Sequence, residues 1–144
     1  MERIRKAAAV TVVLVALPPN TDDSHRGRIV GHILFSPVTI NGGPHIPAVG
    51  LAPLAVQPEQ QRRGIGTALV AAGLDRCRAL DIQVIVVLEH PEYYPRFGFQ
   101  PAQQLGLSSE YDVPPDAFMA LELTPGALDS TEGVARYHAA FNSL

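Results

Sequence analysis

A strand-like run and a helical run meet near the middle of the chain, at the stretch Gln61-Arg62-Arg63-Gly64-Ile65-Gly66-Thr67. Residues 49–56 are apolar enough for a buried strand, and residues 67–80 follow the spacing of a helix. A turn between a strand and the start of a helix directs several backbone N–H groups at one point, where the helix dipole adds partial positive charge. This stretch therefore predicts a socket for a phosphate group.

The side chains of the stretch fit that prediction. Gly64 and Gly66 have no Cβ to keep a ligand away from the backbone, and Arg62 and Arg63 place cations beside it. A pyrophosphate suits such a socket better than a metal ion or a base edge. The competing interpretation is an ordinary turn that uses glycine for its shape alone, with the paired arginines a coincidence. The predicted binding residues of the loop are Gln61, Arg62, Arg63, Gly64, Ile65, Gly66 and Thr67.

Two common phosphate loops do not match this stretch. The dinucleotide-binding fingerprint requires a third glycine where the chain has Leu69, and the P-loop requires Gly-Lys-Ser/Thr where it has Gly64-Ile65-Gly66. The pattern that does match is Gln/Arg-x-x-Gly-x-Gly/Ala after a strand ending Leu54-Ala55-Val56-x-Pro58. It resembles the acyl-CoA loop of the GNAT superfamily of N-acetyltransferases.

A second motif supports the resemblance. The segment Tyr93-Tyr94-Pro95-Arg96-Phe97-Gly98-Phe99 is similar to the Tyr-x-x-x-Gly-Phe segment of the same superfamily. Both motifs occur in the expected order, with a helix and a strand between them, so the match is fairly specific. It covers roughly residues 27–123 and is closest to small bacterial predicted acetyltransferases that carry His-Pro-Glu-Tyr-Tyr-Pro-Arg-Phe-Gly-Phe.

The expected fold is α/β, with a mixed, predominantly antiparallel sheet. Strand 49–56, the loop, helix 67–80 and the β-branched strand 83–88 predict a central parallel, right-handed crossover, and such folds bind ligands at the carboxyl ends of their strands. Pro53 cannot donate to a ladder, which suggests an edge or a bulge. The resemblance implies a bulge that splays the strand and frees backbone groups of Leu54, Ala55 and Val56 for the pantetheine of acetyl-CoA.

The resemblance also implies a catalytic residue. Tyr94 matches the superfamily tyrosine beside the CoA sulfur, where a phenol with a pKa of about 10 stays protonated and assists the thiolate leaving group. The alternative for Tyr94 is packing against Phe97 and Phe99, and Tyr93 is the substitute if the register differs by one residue. The oxyanion donor would be a backbone N–H near Ala55 or Val56.

The general base is not evident, because residues 49–56 contain no acid. Glu89, His90 and Glu92 lie near the second motif in sequence, and His32 could point across the site. Each is more typical of a solvated loop residue or, for His32, of a satisfied sheet residue. We therefore expect deprotonation of the amine through water.

Composition limits the remaining classes. The 144 residues suit one domain, 1–144, with 124–144 as a C-terminal extension. A net charge of −3 argues against a general nucleic-acid or membrane-surface binder. The single cysteine, Cys77, suits a reducing cytoplasm, and no metal site is expected. The basic and apolar start of the chain could be a signal peptide, but its β-branched content favours a buried strand.

The remaining pattern predicts the other elements. Strands Val10–Leu17 and Arg28–Phe35 should pair as a hairpin, and Pro37 and the stretch Asn41-Gly42-Gly43-Pro44 should break the chain. We also expect a helical turn at Glu92–Arg96, a strand start at 98–100 and a last strand at Ala117–Leu123. The predicted core stripe of the helix consists of Leu69, Val70, Gly73, Cys77 and Leu80, which leaves Cys77 buried and inert.

One departure from the superfamily affects the acceptor. Members usually begin with a strand and two helices before the hairpin, and those helices wall the acceptor pocket, whereas here the hairpin starts near residue 9. Three explanations stay open: a start upstream, a wall supplied by another chain, as in a homodimer, or an open acceptor site. The expected function is transfer of an acetyl group from acetyl-CoA to a primary amine of an unidentified acceptor. The alternatives are a catalytically silent acyl-CoA-binding module and an assembly domain that binds no CoA.

Overall fold

The fold is taken from a computed structural model, which describes residues 12–17, 29–41, 46–58, 61, 64–88, 91–111, 113–129 and 132–137. These residues form one eight-stranded sheet and one α-helix, α1 (Ile65–Ala79). The strands are β1 (Val12–Ala16), β2 (Gly31–Asn41), β3 (Ala48–Val56), β4 (Val84–Leu88), β5 (Gln100–Pro101), β6 (Leu107–Ser109), β7 (Phe118–Glu122) and β8 (Gly133–Tyr137). Short 3₁₀ turns occupy Tyr94–Phe97, Ala102–Leu105 and Pro115–Ala117.

The sheet is mixed and mostly antiparallel, as expected. Its strand order is β5-β7-β4-β3-β2-β8-β6, and β1 pairs with β2 along the edge that β8 uses further on. The parallel pairs are β3 with β4 and β6 with β8. The predicted α/β class with a central strand–helix–strand crossover is confirmed, because α1 connects β3 to its parallel neighbour β4.

The crossover strands separate at the end that carries the loop. The pairing of β3 with β4 runs only from Ala48 to Gly50, although β3 continues to Val56. On its other side β3 stays paired with β2, but the register shifts by one residue between Leu51 and Leu54. That shift is a β-bulge, which twists and bends a strand. The predicted bulge and the predicted splay are both confirmed.

The predicted hairpin of β1 and β2 is also confirmed, with Val12 opposite Phe35 and Ala16 opposite Gly31. The expectation that Pro37 breaks the chain is wrong, because β2 runs on to Asn41. Pro37 pairs with Val49 of β3 and lies where the partner on the opposite edge changes from β1 to β8. A residue without an N–H is tolerated where a ladder is interrupted.

Helix α1 packs on the face of the sheet that carries Ile33 and Phe35. Its buried residues are Leu69, Val70, Gly73, Leu74 and Cys77. The predicted stripe is correct except for Leu80, which follows the helix and is 47% exposed, while Leu74 takes its place. The helix begins at Ile65, two residues before the predicted start at Thr67, so the second half of the glycine loop forms its first turn.

The other face of the sheet encloses a second buried cluster, which includes Val38, Val84 and Tyr137. Residues 102–106 connect β5 at one end of the sheet order to β6 at the other, and even a fully extended chain of that length spans only roughly 20 Å. The sheet therefore curls around this cluster. The expectation that Ala117–Leu123 forms the last strand is wrong, because β8 follows and pairs with β2. Part of the predicted C-terminal extension is thus a sheet strand.

Candidate functional site

A cavity of about 370 Å³ opens where β3 ends and α1 begins. Its walls come from the end of β3, the glycine loop, the first turn of α1 and the turn that carries the second motif. They consist of Leu54, Val56, Gln61, Gly64, Ile65, Gly66, Thr67, Tyr93 and Arg96. Most residues predicted to bind a ligand are therefore brought together at one cavity, and the two motifs meet there.

The N-terminus of α1 faces this cavity without a side-chain cap. Gly64 occupies the N-cap position with φ 81°, a left-handed conformation that glycine adopts without strain. Gly64 has no side chain that could cap the first-turn amides, and the first turn contains no acidic residue. Uncapped amides at a helix start carry partial positive charge and favour an anion.

Gln61 fixes the entry into the loop. Its side-chain amide donates a hydrogen bond of 2.9 Å to the carbonyl oxygen of Val56, and the backbone N–H of Gln57 donates to Val30 at 2.7 Å. The end of β3 is thus held on both sides. Because the Val56 carbonyl already accepts from Gln61, it is less available to a ligand amide than the sequence alone suggested.

Tyr93 and Arg96 form the part of the wall that comes from the second motif. The Tyr93 hydroxyl lies 3.1 Å from the Thr67 hydroxyl oxygen, so it reaches the first turn of α1. The Arg96 guanidinium stacks over the Tyr93 ring, 4.3 Å from its centroid, and its Nε donates to the Tyr93 carbonyl oxygen at 2.8 Å. Arg96 is a site residue that sequence reasoning missed, although its spacing of three from Tyr93 places both on one side of a single turn.

Tyr94 lies deeper than its neighbour. It is 3% exposed and packs edge-on against Tyr93 and Phe99, with ring centroids 5.1 Å and 5.5 Å away. Burial, followed by the neighbouring Tyr93 phenol, raises the pKa of Tyr94 to about 12, so the phenol stays protonated at neutral pH. The residues lining the cavity include Tyr93 and not Tyr94. The catalytic role of Tyr94 stays a prediction.

The other predicted residues do not line the cavity or lie outside the described residues. Ala55 is exposed, does not line the cavity, and pairs with His32 of β2. His32 follows Gly31 and precedes Ile33, whose side chain packs under α1, so His32 points to the opposite face. Glu92 is exposed. Arg62, Arg63, Glu89 and His90 lie outside the described residues.

Cys77 lies on the buried face of α1, away from the cavity. It is 0% exposed, and burial raises the pKa of its thiol to about 11 against a smaller opposing effect of Arg78. A protonated, buried thiol is a poor nucleophile, as expected. In the part of the chain that the structure describes, no group of acidic, histidine and cysteine side chains could hold a metal ion. The helix of that part is too short and too polar to cross a membrane.

Comparisons with known proteins agree on one family. Residues 13–101 match the acetyltransferase (GNAT) domain model. The uncharacterized N-acetyltransferase YhbS of Escherichia coli strain K12 is 34% identical over 139 residues, which are 96% of this chain and 79% of that protein. The crystal structure of YhbS from Escherichia coli in complex with CoA has a TM-score of 0.81, with 33% identity over 98% of this chain and 74% of that one.

A second crystal structure gives the same result. A GNAT family acetyltransferase from Brucella melitensis in complex with acetyl-CoA has a TM-score of 0.68, with 35% identity over 97% of this chain and 74% of that one. The fold of this chain is therefore shared with proteins whose structures contain CoA or acetyl-CoA.

Proposed function

For this chain, which belongs to the GNAT acetyltransferases and is therefore an acyltransferase, we propose that the donor is acetyl-CoA and the acceptor a primary amine. The observation that carries the proposal is the cavity between the uncapped start of α1 and the splayed end of β3. CoA has a pyrophosphate that suits the uncapped start of α1. It also has an extended pantetheine whose amides suit the splayed end of β3. The relatives YhbS and the Brucella melitensis enzyme, bound to CoA and acetyl-CoA, support the choice of donor.

In this proposal the first turn of α1 and the loop bind the pyrophosphate. The amides of Gly64 to Thr67 donate to its oxygens, and Arg62 and Arg63 of the same loop add charge. The pantetheine lies along Leu54 to Val56, where β3 has parted from β4. This orientation directs the thioester toward the interior end of the splay.

The reaction is direct attack by a neutral amine. Its nitrogen forms a bond to the thioester carbonyl carbon, the carbonyl oxygen becomes anionic, and the C–S bond then breaks to release the thiolate. A backbone N–H near Ala55 or Val56 stabilises the oxyanion. Tyr94 assists the thiolate by donating a hydrogen bond, since its pKa of about 12 keeps it protonated. Water carries the proton lost by the amine to the released thiolate, which becomes the thiol of CoA.

Two further assignments belong to the proposal. We treat residues 1–144 as one domain, because β8, within the predicted extension, pairs with β2 of the same sheet. We also assign the reaction to the cytoplasm, because that compartment holds acetyl-CoA and the chain has a single cysteine. Fractionation of the native host with an antibody to the chain tests the second assignment.

The experiment measures CoA release from acetyl-CoA with a panel of primary amines. We expect turnover by the native chain and a loss of roughly 10²-fold or more in kcat for Tyr94→Phe. The matched control is Tyr93→Phe, which removes the adjacent hydroxyl and should keep most of the activity. If Tyr93→Phe is the variant that loses activity, the acid is Tyr93 and the assignment of Tyr94 is wrong.

Binding measurements separate the remaining alternatives. Gly64→Asp places a carboxylate at the helix start and should abolish CoA binding in calorimetry. Binding of acetyl-CoA by the native chain without turnover of any amine would support the silent binding module instead. No binding by the native chain would contradict the choice of donor.

A further inference from the structure

We propose that Arg96, which stacks on the Tyr93 ring, binds the pyrophosphate of CoA together with the first turn of α1. The inference rests on the proposed function and adds to it a residue from the second motif. It assigns phosphate binding to two separate segments of the chain, the glycine loop and the turn after β4, rather than to the loop alone.

The first observation is that Arg96 is held before any ligand arrives. Its Nε donates to the Tyr93 carbonyl oxygen at 2.8 Å, and its guanidinium lies 4.3 Å from the centroid of the Tyr93 ring. A stacked, hydrogen-bonded arginine loses less rotamer entropy on binding than a free side chain. Because the anchoring bond uses Nε, the two terminal nitrogens remain available to an anion.

The second observation is that the tyrosine ring on which this arginine stacks reaches the helix start. The Tyr93 hydroxyl is 3.1 Å from the Thr67 hydroxyl oxygen, and a Cβ on Gly66 would be 3.7 Å from the same phenol oxygen. One tyrosine ring therefore separates the guanidinium from the first turn of α1. A group of two linked phosphates is long enough to contact both at once.

The third observation is the charge of the cavity. Among the described residues that line the cavity, Arg96 is the charged one, and none of them carries a carboxylate. In the described part of the chain, ion pairs join Arg78 to Asp75 and Arg136 to Glu110, and none involves Arg96. Pantetheine carries no charge, so the partner of Arg96 on CoA is a phosphate, which a guanidinium binds in bidentate fashion.

The experiment measures, by calorimetry, the affinities of CoA, 3′-dephospho-CoA and pantetheine for the native chain and for Arg96→Ala. We expect Arg96→Ala to weaken CoA and 3′-dephospho-CoA by the same factor, roughly ten- to a hundredfold, because each loses a charge-assisted contact to the pyrophosphate. Pantetheine, which has no phosphate, should bind equally to both chains. The dependence of CoA affinity on salt concentration should also become shallower.

Two variants control for charge and for structure. Arg76→Ala removes the same charge from the far end of α1 and should leave all three affinities unchanged. Arg96→Lys keeps the charge without the bidentate geometry and should recover part of the lost CoA affinity. Arg96 is exposed, so thermal unfolding of Arg96→Ala should match that of the native chain.

The contrary results are distinct. Unchanged CoA affinity in Arg96→Ala overturns the proposal, and so does an equal loss for pantetheine, which would mean that the substitution disturbs the cavity itself. A loss for CoA but not for 3′-dephospho-CoA would move the contact to the 3′-phosphate and overturn the assignment to the pyrophosphate. Failure of the native chain to bind CoA would instead remove the proposed function on which this inference rests.

Discussion

Gly64 and Gly66 serve the loop for different physical reasons. Gly64 has φ 81°, and nothing lies within 4 Å of where its Cβ would be. Glycine is therefore needed at position 64 for its backbone conformation and not for lack of space. Gly66 lies in the helix, and a Cβ there would make ordinary contacts of 3.7 Å to Tyr93 and 3.8 Å to Val56. This difference agrees with the superfamily pattern Gln/Arg-x-x-Gly-x-Gly/Ala, which allows alanine in place of the second glycine but not of the first.

The two substitutions to alanine should consequently differ. Gly64→Ala places a side chain in a left-handed conformation and should lower the free energy of unfolding by about 1 kcal/mol. Gly66→Ala should be neutral or stabilising by up to about 1 kcal/mol, because alanine favours the helix. Urea denaturation of both variants measures the difference. A larger loss in Gly66→Ala than in Gly64→Ala would show that the space beside Tyr93 is tighter than described.

The Cys77 thiol should make the free energy of unfolding fall at alkaline pH. Its folded pKa of about 11 lies above the reference value of 9.0, so between these values the unfolded chain releases a proton that the folded chain retains. The contribution of the thiol to the free energy of unfolding is therefore fully present below pH 9. It should fall by on the order of 2 kcal/mol as the pH rises to 11. Tyr94, with a raised pKa of about 12, acts in the same direction at higher pH.

Comparison with Cys77→Ala isolates the thiol. The variant should be less stable at neutral pH, because it leaves a small cavity, but its stability should fall less steeply between pH 9 and 11. Denaturant titrations at several pH values measure both slopes. Equal slopes in the two proteins would mean that the thiol does not cause the alkaline loss.

At the scale of elements, α1 lies close to β2 because one of its buried residues is glycine. A Cβ on Gly73 would overlap the Phe35 ring, with the ring carbon Cζ only 2.5 Å away. Helix propensity alone would favour alanine at this position by about 1 kcal/mol. The overlap with the ring opposes this gain from alanine. The Phe35 side chain has no space to move aside, since it is 0% exposed.

Gly73→Ala should therefore destabilise the protein by about 1–3 kcal/mol, as overpacking does. Gly66→Ala in the same helix is the matched control, since it adds the same methyl group without overlap. The double variant Gly73→Ala with Phe35→Leu should recover part of the loss beyond what the single changes predict, because the smaller side chain removes the overlap. Additive effects would exclude this contact as the cause.

Elements with a strong local pattern were predictable from the sequence, and those specified by tertiary contacts were not. The helical period of α1 and the β-branched run of β4 each occur within one short segment. Pro53 by itself indicated an edge or a bulge, and the resemblance favoured the bulge. In contrast, β6 has three residues, from Leu107 to Ser109, and exists because it pairs with β8. Leu80 is not part of the buried helix face because the helix ends at Ala79.

The same limit applied to the candidate site. The loop residues were predictable because glycine spacing and helix start determine where backbone amides point. Which of the adjacent tyrosines faces the cavity depends on the rotation of the 3₁₀ turn Tyr94–Phe97, and one residue of sequence separation does not specify it. Arg96 was missed for the same reason, since its contact with Tyr93 exists only once that turn is formed.

At the scale of the whole molecule, β8 closes the sheet and completes the core on the face opposite α1. Tyr137 is 6% exposed, and its ring covers Gly50, where a Cβ would lie 2.6 Å from a ring carbon. Gly50 is also the last residue of β3 that pairs with β4. The backbone N–H of Tyr137 donates to a Glu110 carboxylate oxygen at 2.7 Å. The C-terminal strand therefore supports the point from which the two crossover strands diverge.

Tyr137→Ala should lower the free energy of unfolding by about 3–5 kcal/mol, because it empties a buried aromatic position. Arg136→Ala is the control on the same strand: its side chain is 55% exposed and makes one ion pair of 3.7 Å with Glu110, so its loss should cost less than about 1 kcal/mol. Since Gly50 marks the start of the splay, Tyr137→Ala should also weaken CoA binding under conditions where the variant is still folded, whereas Arg136→Ala should not. Denaturation and calorimetry on both variants test this; a destabilised Tyr137→Ala that binds CoA with native affinity would show that the crossover keeps its geometry without the C-terminal strand.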